Sequence, residues 1–235
     1  MRATTVAAGV RGTRHARQGA PSQDHFAAFS APFGVALIVA DGAGSAARGG
    51  VGAALGVRAA RAALRQSEAG SVDDCRAACE VARARLHRAA AGAGRPPRDF
   101  ATTLIVATLT EAGAAVAHVG DGAVVAKGAA LAVLSAPDVG AFAGETTFLT
   151  SDSEIRTATA PATALAVFSD GLERLLIEAA SGAPAPVFDR WFKILQEGAA
   201  GHDHALSAAL RRYLAQPAVA ERTDDDVTLC LAVRC

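Results

Sequence analysis

Five short aspartate motifs run through the chain in order. They are Ser22-Gln23-Asp24, Val39-Ala40-Asp41-Gly42, Val119-Gly120-Asp121-Gly122, Phe168-Ser169-Asp170-Gly171 and Asp224-Asp225-Asp226. Four of them adjoin apolar runs that read as strands. A carboxylate at a buried strand end is costly unless positive charge meets it, and several that converge repel one another. A bound cation resolves both problems, and an all-carboxylate site suits Mg²⁺ or Mn²⁺. The chain must therefore fold so that acidic strand ends meet around metal. In Asp41-Gly42 one carboxylate can bridge two cations, and the missing side chain lets the Gly42 carbonyl approach a ligand. Asp170-Gly171 repeats the arrangement, and Asp225, just before the last apolar run, supplies a third carboxylate. A single Asp-Gly is an ordinary turn; its recurrence along one chain points to a metal site.

The 235 residues fit one domain spanning 1–235. Hydrophobic residues make up 51% and aromatic residues only 5%, so the core must be built from Ala, Val and Leu. The 23 basic and 23 acidic residues balance, and overall charge points to no polyanionic partner. The halves differ, with 14 basic against 7 acidic residues in 1–100 and 9 against 16 in the remainder. Most early arginines fall in two helical stretches and read as solvated faces, with a docking surface for acidic protein as the sharper alternative. No aromatic residues interleave with them, which argues against nucleic acid. Cys75, Cys79, Cys230 and Cys235 show no zinc-ligand spacing. Cys75 and Cys79 lie one helical turn apart on an apolar stripe and are expected to be free, buried thiols. Arg11 and Arg14 interrupt the N-terminal apolar stretch, so no signal peptide is expected. No apolar run is long enough to span a membrane. A cytoplasmic location is expected.

Short strands are predicted over 3–10 and 26–30, and a buried strand over 34–40 ending at Asp41. A helix follows over 46–65, with Arg58, Arg61 and Arg65 outward. A second begins at Ser71, where Ser71 and Asp74 form a capping-box pattern. Val72, Cys75, Cys79, Ala82 and Leu86 share one face of it. Residues 92–97 end that helix. Strands over 101–109, 114–119, 123–127, 146–150 and 162–168 suggest antiparallel meanders. A helix after Gly171, two amphipathic helices marked by Phe188–Leu195 and Leu206–Leu214, and a strand over 227–233 complete the chain. This order predicts an α+β layered domain with antiparallel sheets.

With these residues placed, the ordered set Gln23-Asp24, Val39-Ala40-Asp41-Gly42, Val119-Gly120-Asp121-Gly122, Ser169-Asp170-Gly171 and Asp225-Asp226-Val227-Thr228 resembles the metal-dependent protein phosphatase 2C family. The stretches 40–45, 99–104 and 145–150 resemble a bacterial subgroup of it. The resemblance spans residues 9 to 233. It implies a four-layer αββα sandwich, two antiparallel β-sheets flanked by helices, with metals in a cleft at one sheet edge. It implies a serine/threonine phosphatase that uses two Mn²⁺ or Mg²⁺ ions and a third, weaker one. Asp41 would bridge the two metals and the Gly42 carbonyl would bind one of them. Asp170 and Asp225 would complete one site, and Asp24 would serve the other, largely through water. Asp121 would help hold the third ion. Within the triple aspartate the register stays open by one residue. Two cations about 4 Å apart would lower the pKa of a shared water, which would attack phosphorus in line.

Two positions depart from the family pattern. Ala43 stands where many members carry a histidine that protonates the leaving alkoxide, and His15 is the candidate replacement. Gly19 stands where the phosphate-binding arginine is usual. Arg14, Arg17 and Arg48 are the candidate replacements, with Arg17 favoured. Turnover of phosphoserine peptides is then expected to be slow and that of activated aryl phosphates easier. The expected partner is a phosphorylated protein, with a serine/threonine kinase or its target as the broader partner class. The chain is expected to act as a monomer. A flap over 145–151 is a further expectation, with an ordinary strand as its alternative. The competing function is a non-catalytic phosphoprotein-binding module on the same fold, but such members usually lack metal aspartates that are present here. An aspartyl-phosphate enzyme is disfavoured, because Lys127 and Lys193 are the only lysines and neither lies in a suitable motif.

Overall fold

The computed structural model describes residues 1–138 and 146–235. The chain opens with β1 (Ala3–Val10), a short helix α1 (Thr13–Arg17) and the hairpin β2 (Asp24–Ala31) and β3 (Gly34–Asp41). Two helices follow, α2 (Gly49–Leu64) and α3 (Val72–Gly92). Ser71 caps α3 as its sequence suggests: its hydroxyl accepts from Asp74 N at 3.2 Å and its own N–H donates to the Asp74 carboxylate at 2.8 Å. A 3-10 turn over Pro97–Phe100 leads into β4 (Leu104–Thr110), β5 (Gly113–Val119), β6 (Ala123–Lys127) and β7 (Leu131–Ser135). Then come β8 (Arg156–Ala160), β9 (Ala164–Phe168), a 3-10 turn over Asp170–Leu172, α4 (Glu173–Leu176) and α5 (Val187–Gln196). The strand β10 (Gly201–His202), α6 (His204–Leu214), α7 (Pro217–Ala220) and β11 (Val227–Arg234) close the fold.

The strands form two sheets, ordered β10-β1-β11-β9-β6-β7 and β2-β3-β4-β5-β8. Every pairing is antiparallel except that of β1 with β10. Strand alternation sorts the apolar residues into three interfaces. Leu37, Val39, Ile105 and Val116 of one sheet meet Val124, Leu165, Val167 and Cys230 of the other in a central layer. Ala36, Ile38, Leu104 and Ala117 turn outward to meet Val57, Leu64, Cys75, Cys79 and Leu86 of α2 and α3. Val6, Phe168, Leu229 and Leu231 meet Phe188, Phe192, Leu195 and Leu210 of α5 and α6. Helix, sheet, sheet, helix is the four-layer α+β sandwich with two antiparallel β-sheets that the resemblance implies.

Three local readings change. No strand runs over 146–150: Leu149 is fully buried, its N–H donates to the Thr102 carbonyl at 2.8 Å, and the segment turns there. Glu145, the first residue of the expected flap, lies outside the described residues. The sequence reading also passed over β7 and β8, whose residues are only partly buried and alternate weakly. Arg76 and Arg83 are not simply solvated. Arg83 donates to the Leu149 and Ser153 carbonyls at 2.9 and 2.7 Å, and Arg76 to Ile155 and Thr157, so α3 ties down the chain entering β8.

Candidate metal centre

All five aspartate motifs lie at the same end of the sandwich, where the central apolar layer stops. Asp24 begins β2 and Asp41 ends β3, and the two are direct partners across the hairpin. Directly opposed residues share a face, so both carboxylates emerge side by side. Asp121 sits in the turn from β5 to β6, Asp170 follows β9, and Asp225 precedes β11. Asp121, Asp170 and Asp225 line one cleft of about 750 Å³, together with Thr146, Glu173 and Arg174.

Close backbone approaches fix this convergence. A Cβ on Gly171 would stand 2.1 Å from the Asp226 carbonyl oxygen, so only glycine lets the turn after β9 meet the chain entering β11. A Cβ on Gly42 would lie 2.2 Å from the Gly49 carbonyl carbon. Gly42 is therefore needed where α2 starts against the strand end, a packing reason beyond the ligand approach that its sequence suggests. The bridge of Gly42 to Thr102 is made by Ala43 N to Ala101 O at 3.0 Å and Thr103 N to Asp41 O at 2.8 Å. The Gly42 carbonyl takes no part in those bonds.

The electrostatics record the crowding. Burial, reinforced by the charges of Asp24, Asp170, Asp225 and Asp121, pushes the Asp41 carboxyl up to about 11. Burial and then the charges of Asp121, Asp225 and Asp24 push Asp170 up to about 7. Asp24 rises to about 6, again mainly by burial, although the Ser169 hydroxyl donates to it at 2.7 Å. Burial also raises Asp121, against a hydrogen bond from Thr146 Oγ1 at 2.7 Å. Asp24 Oδ1 and Asp170 Oδ1 are buried and find no hydrogen-bond partner. Buried carboxylate oxygens without donors are the sites a divalent cation fits. The donor set is all oxygen, as Mg²⁺ and Mn²⁺ prefer.

The triple aspartate divides its work. Asp225 faces the cleft and takes a two-point ion pair from Arg14, both oxygens at 2.8 Å from one guanidinium nitrogen. Asp226 turns inward, accepting from Gly12 N and Gln23 N at 2.6 Å each. Burial acts to raise its pKa, but these amides and His15 outweigh it and the carboxyl lies below its usual range. Asp224 stays exposed at the cleft lip, and its carbonyl accepts from Arg14 N. His15, Asp225 and Asp226 also bring potential ligand atoms within 4.8 Å of one another. That trio reads as a structural anchor rather than a cation site of its own, because both Asp226 oxygens already hold N–H donors. Asp226→Asn replaces one accepting oxygen with an NH₂ that faces an amide N–H. It is expected to cost about 3 kcal/mol and lower the melting temperature by roughly 6–12 °C, as calorimetry would register.

The two candidate replacements sit differently from their sequence roles. The His15 side chain is 7% exposed and its Nδ1 lies 3.0 Å from Asp226 Oδ2, an ion-pair distance without the alignment of a full hydrogen bond. In this position it braces the Asp225–Asp226 turn instead of standing free as a proton donor. Arg17 reaches back to Thr13 Oγ1 at 3.1 Å on its own helix. Arg48 stacks on the Phe100 ring at 5.7 Å. Arg14 is the arginine at the carboxylates, and a Cβ on Gly44, just past Asp41-Gly42, would lie 4.0 Å from its terminal nitrogen. Sequence reasoning also missed His118 beneath the Asp121 turn. Its Nε2 lies 3.0 Å from the Asp121 carbonyl and its Nδ1 2.8 Å from Ser135 Oγ, while burial, then Arg156, lowers its pKa to about 4. A neutral ring donating from Nε2 and accepting at Nδ1 satisfies both contacts. The one sequence signal was a histidine inside an otherwise apolar strand.

A family model, protein phosphatase 2C, matches residues 11–215. The chain belongs to the protein phosphatase 2C family. It is 35% identical over 211 residues to serine/threonine-protein phosphatase 3 of Escherichia coli, covering 85% of this chain and 83% of that protein. Among solved structures it resembles the S. agalactiae serine/threonine phosphatase, with a TM-score of 0.69 at 16% identity over 99% of this chain and all of that one. It also resembles the catalytic domain of the serine threonine protein phosphatase PstP in complex with 2 manganese ions, with a TM-score of 0.65 at 22% identity over 99% and 98% of the two chains. At these identities the structural likenesses establish the phosphatase 2C fold. As a family member with a named phosphatase relative, the chain is an enzyme, a protein phosphatase. No helix among the described residues is long and apolar enough to cross a membrane.

Proposed function

We propose that one domain spanning 1–235 hydrolyses phosphoserine and phosphothreonine esters of proteins with the help of two divalent cations, Mn²⁺ or Mg²⁺. The observation that carries this reading is the gathering of Asp24, Asp41, Asp121, Asp170 and Asp225 at one end of the sandwich, with buried carboxylate oxygens left without donors. Asp24, Asp41, Asp170, Asp225 and the Gly42 carbonyl would hold the pair, and Asp121 a third, weaker ion. Cations bound there supply positive charge for the phosphate and lower the pKa of water enough for attack at neutral pH. The relative solved with 2 manganese ions supports Mn²⁺ as the first metal to test.

The chain's own residues do the rest. The carboxylates fix where the phosphorus can sit. Asp226, held by the Gly12 and Gln23 amides, sets the position of Asp225. With Asp225 serving as a metal ligand, the Arg14 guanidinium would be free to turn its planar fork to phosphate oxygens. Arg14→Gln is expected to raise KM for p-nitrophenyl phosphate by about tenfold, the loss of one charge-assisted pair, and to tighten Mn²⁺ binding by removing a competing cation. Arg17→Gln leaves both within twofold, a contrast that titration calorimetry and initial rates check. With Ala43 where a proton donor would stand and His15 held by Asp226, aryl phosphates with good leaving groups should turn over faster than phosphoserine peptides.

The decisive assay is phosphate release from a phosphothreonine peptide with Mn²⁺, Mg²⁺ or chelator. Release with metal and none with chelator is expected. Release that survives chelation would overturn the reading.

A further inference from the structure

The acidic cleft does not end at its carboxylates. A second hollow of about 350 Å³ adjoins it, walled by Leu172, Leu176, Trp191, Leu214 and Val219. Leu175 and Arg222 line both hollows, so the two share a wall. Their chemistry differs: the first is lined largely by acidic residues, and the second mainly by apolar ones, with Gln216 and Arg222 at its edge. Its aromatic wall is packed edge to face. Trp191 packs edge-on against Phe188 at 5.5 Å and against Tyr213 at 5.7 Å, while Tyr213 remains 43% exposed. Trp191 and Tyr213 also line a third hollow of about 290 Å³ over Val6, Leu206 and Leu231, which extends the apolar track along α5 and α6. The turn that carries Asp170 runs straight into α4, so one short segment forms the floor of the carboxylate cleft and a wall of the groove.

We infer that the groove between α4, α5 and the α6–α7 corner is a specificity subsite. It would receive an apolar side chain of the phosphoprotein substrate, leucine-like in size, while the phosphorylated residue lies in the carboxylate cleft. The inference rests on the phosphatase reading above. Continuity with the cleft selects the occupant. A chain whose phosphate is held among the aspartates must leave across a rim, and Leu175 and Arg222 form a rim that falls into apolar surface. An extended peptide advances about 3.3 Å per residue, so the residue that enters is a near neighbour of the phosphorylated one. Arg222, exposed at the rim, stands where the intervening peptide carbonyls pass.

The test uses phosphothreonine peptides that differ only in leucine or serine at each flanking position, with p-nitrophenyl phosphate as a substrate too small to reach the groove. At one position leucine is expected to raise kcat/KM about tenfold over serine through KM, the effect of partly burying one leucine side chain. Ala218→Asp places a charge on the groove wall from an exposed position of α7 and should bring that ratio within twofold while leaving p-nitrophenyl phosphate unchanged. Gln216→Trp, which fills the groove from its rim, should do the same and guards against a misfolded first variant. Trp191 is the only tryptophan, so its emission reads groove occupancy directly. In the Asp41→Asn protein the leucine peptide should shift it and the serine peptide should not. Equal rates at every position, or a preference that survives both variants with no change at Trp191, overturns the subsite. So does a concentration-dependent dimer that Ala218→Asp dissociates, because the groove would then be covered by a second copy. If p-nitrophenyl phosphate itself is not hydrolysed with Mn²⁺, the phosphatase reading falls and the subsite with it. If it is hydrolysed without any leucine preference, the subsite alone falls.

Discussion

Asp41→Asn is expected to lower Mn²⁺-dependent phosphate release by about 10³-fold or more and, in the same protein, to raise the melting temperature of the metal-free form. Most substitutions in a packed site destabilise, so the second half is the more demanding. It follows from the company Asp41 keeps. Its carboxyl is pushed from 3.8 to about 11 by burial and by the charges of Asp24, Asp170, Asp225 and Asp121. The folded chain must therefore hold a proton there that the unfolded chain releases. For a carboxyl raised in this way the cost begins above the unfolded pKa and grows with pH until the folded pKa is reached. Acting alone at pH 7 it would amount to on the order of 4 kcal/mol. The neighbouring carboxyls titrate with it, so only part of that belongs to one site. Asparagine has nearly the same shape and never ionises. Relief of about 2 kcal/mol corresponds to a rise of roughly 4–8 °C for a chain of this length. The activity loss and the stability gain share one cause, since the residue that best attracts cations is the one the fold tolerates least without them. A metal-free Asp41→Asn protein that melts below the parent would show that the carboxylates do not repel one another.

The aspartates were legible in sequence because an acid at a buried strand end has few physical remedies. Asp24, Asp41, Asp121, Asp170 and Asp225 could be singled out before any contact was known. The long apolar runs β3, β4 and β11 were legible for the related reason that burial on both faces leaves a continuous apolar signature. The order of strands in the sheets was not. It depends on which edges meet, and the parallel pairing of β1 with β10 rests on register contacts at Thr4 and Thr5 alone. Thr146–Thr150 misled because β-branched residues mark strands only when a partner strand exists, and here Leu149 anchors a turn instead. The register of Asp224–Asp226 needed three dimensions. Neighbouring residues at a strand entrance point opposite ways, and only the amides of Gly12 and Gln23 reveal that Asp226 is the inward one. Arg14, Arg17 and Arg48 are likewise told apart only by their contacts in three dimensions. All three lie near the first two motifs in sequence, but Arg17 folds back on Thr13, Arg48 covers Phe100, and Arg14 alone meets Asp225.

Between pH 6.5 and 8 the metal-free protein should lose stability as pH rises, and Mn²⁺ should cancel or reverse that slope. Asp41 near 11 and Asp170 near 7 both lie above the ordinary carboxyl value, so in this window the folded state binds more protons than the unfolded one. These two carboxyls alone make stability fall with pH by about 1.4–2 kcal/mol per unit, or roughly 4–12 °C across the window. Asp24, raised to about 6, adds its share mainly below it. His118, lowered to about 4 by burial, works in the opposite sense around and below the ordinary histidine value, as do His25 and His202, also lowered mainly by burial, so the fall is shallowest near pH 6.5. There the unfolded ring binds a proton that the folded ring refuses. Asp226 stays out of the balance as well, since its depressed pKa yields stability that is lost only in stronger acid. A cation must displace the protons that Asp41 and Asp170 hold, so its binding tightens with pH and releases about one to two protons at pH 7. At a hundred times its dissociation constant it adds about 2.7 kcal/mol, an increment that grows toward pH 8 as the competing protons leave. Melting curves with Mn²⁺ or chelator at pH 6.5, 7.25 and 8 measure the two slopes. Calorimetry in buffers of different ionisation enthalpy counts the protons. Parallel slopes with and without metal, or binding that releases no proton, would mean that the cation binds away from Asp41 and Asp170, and the assignment of the metal centre would fall with that result.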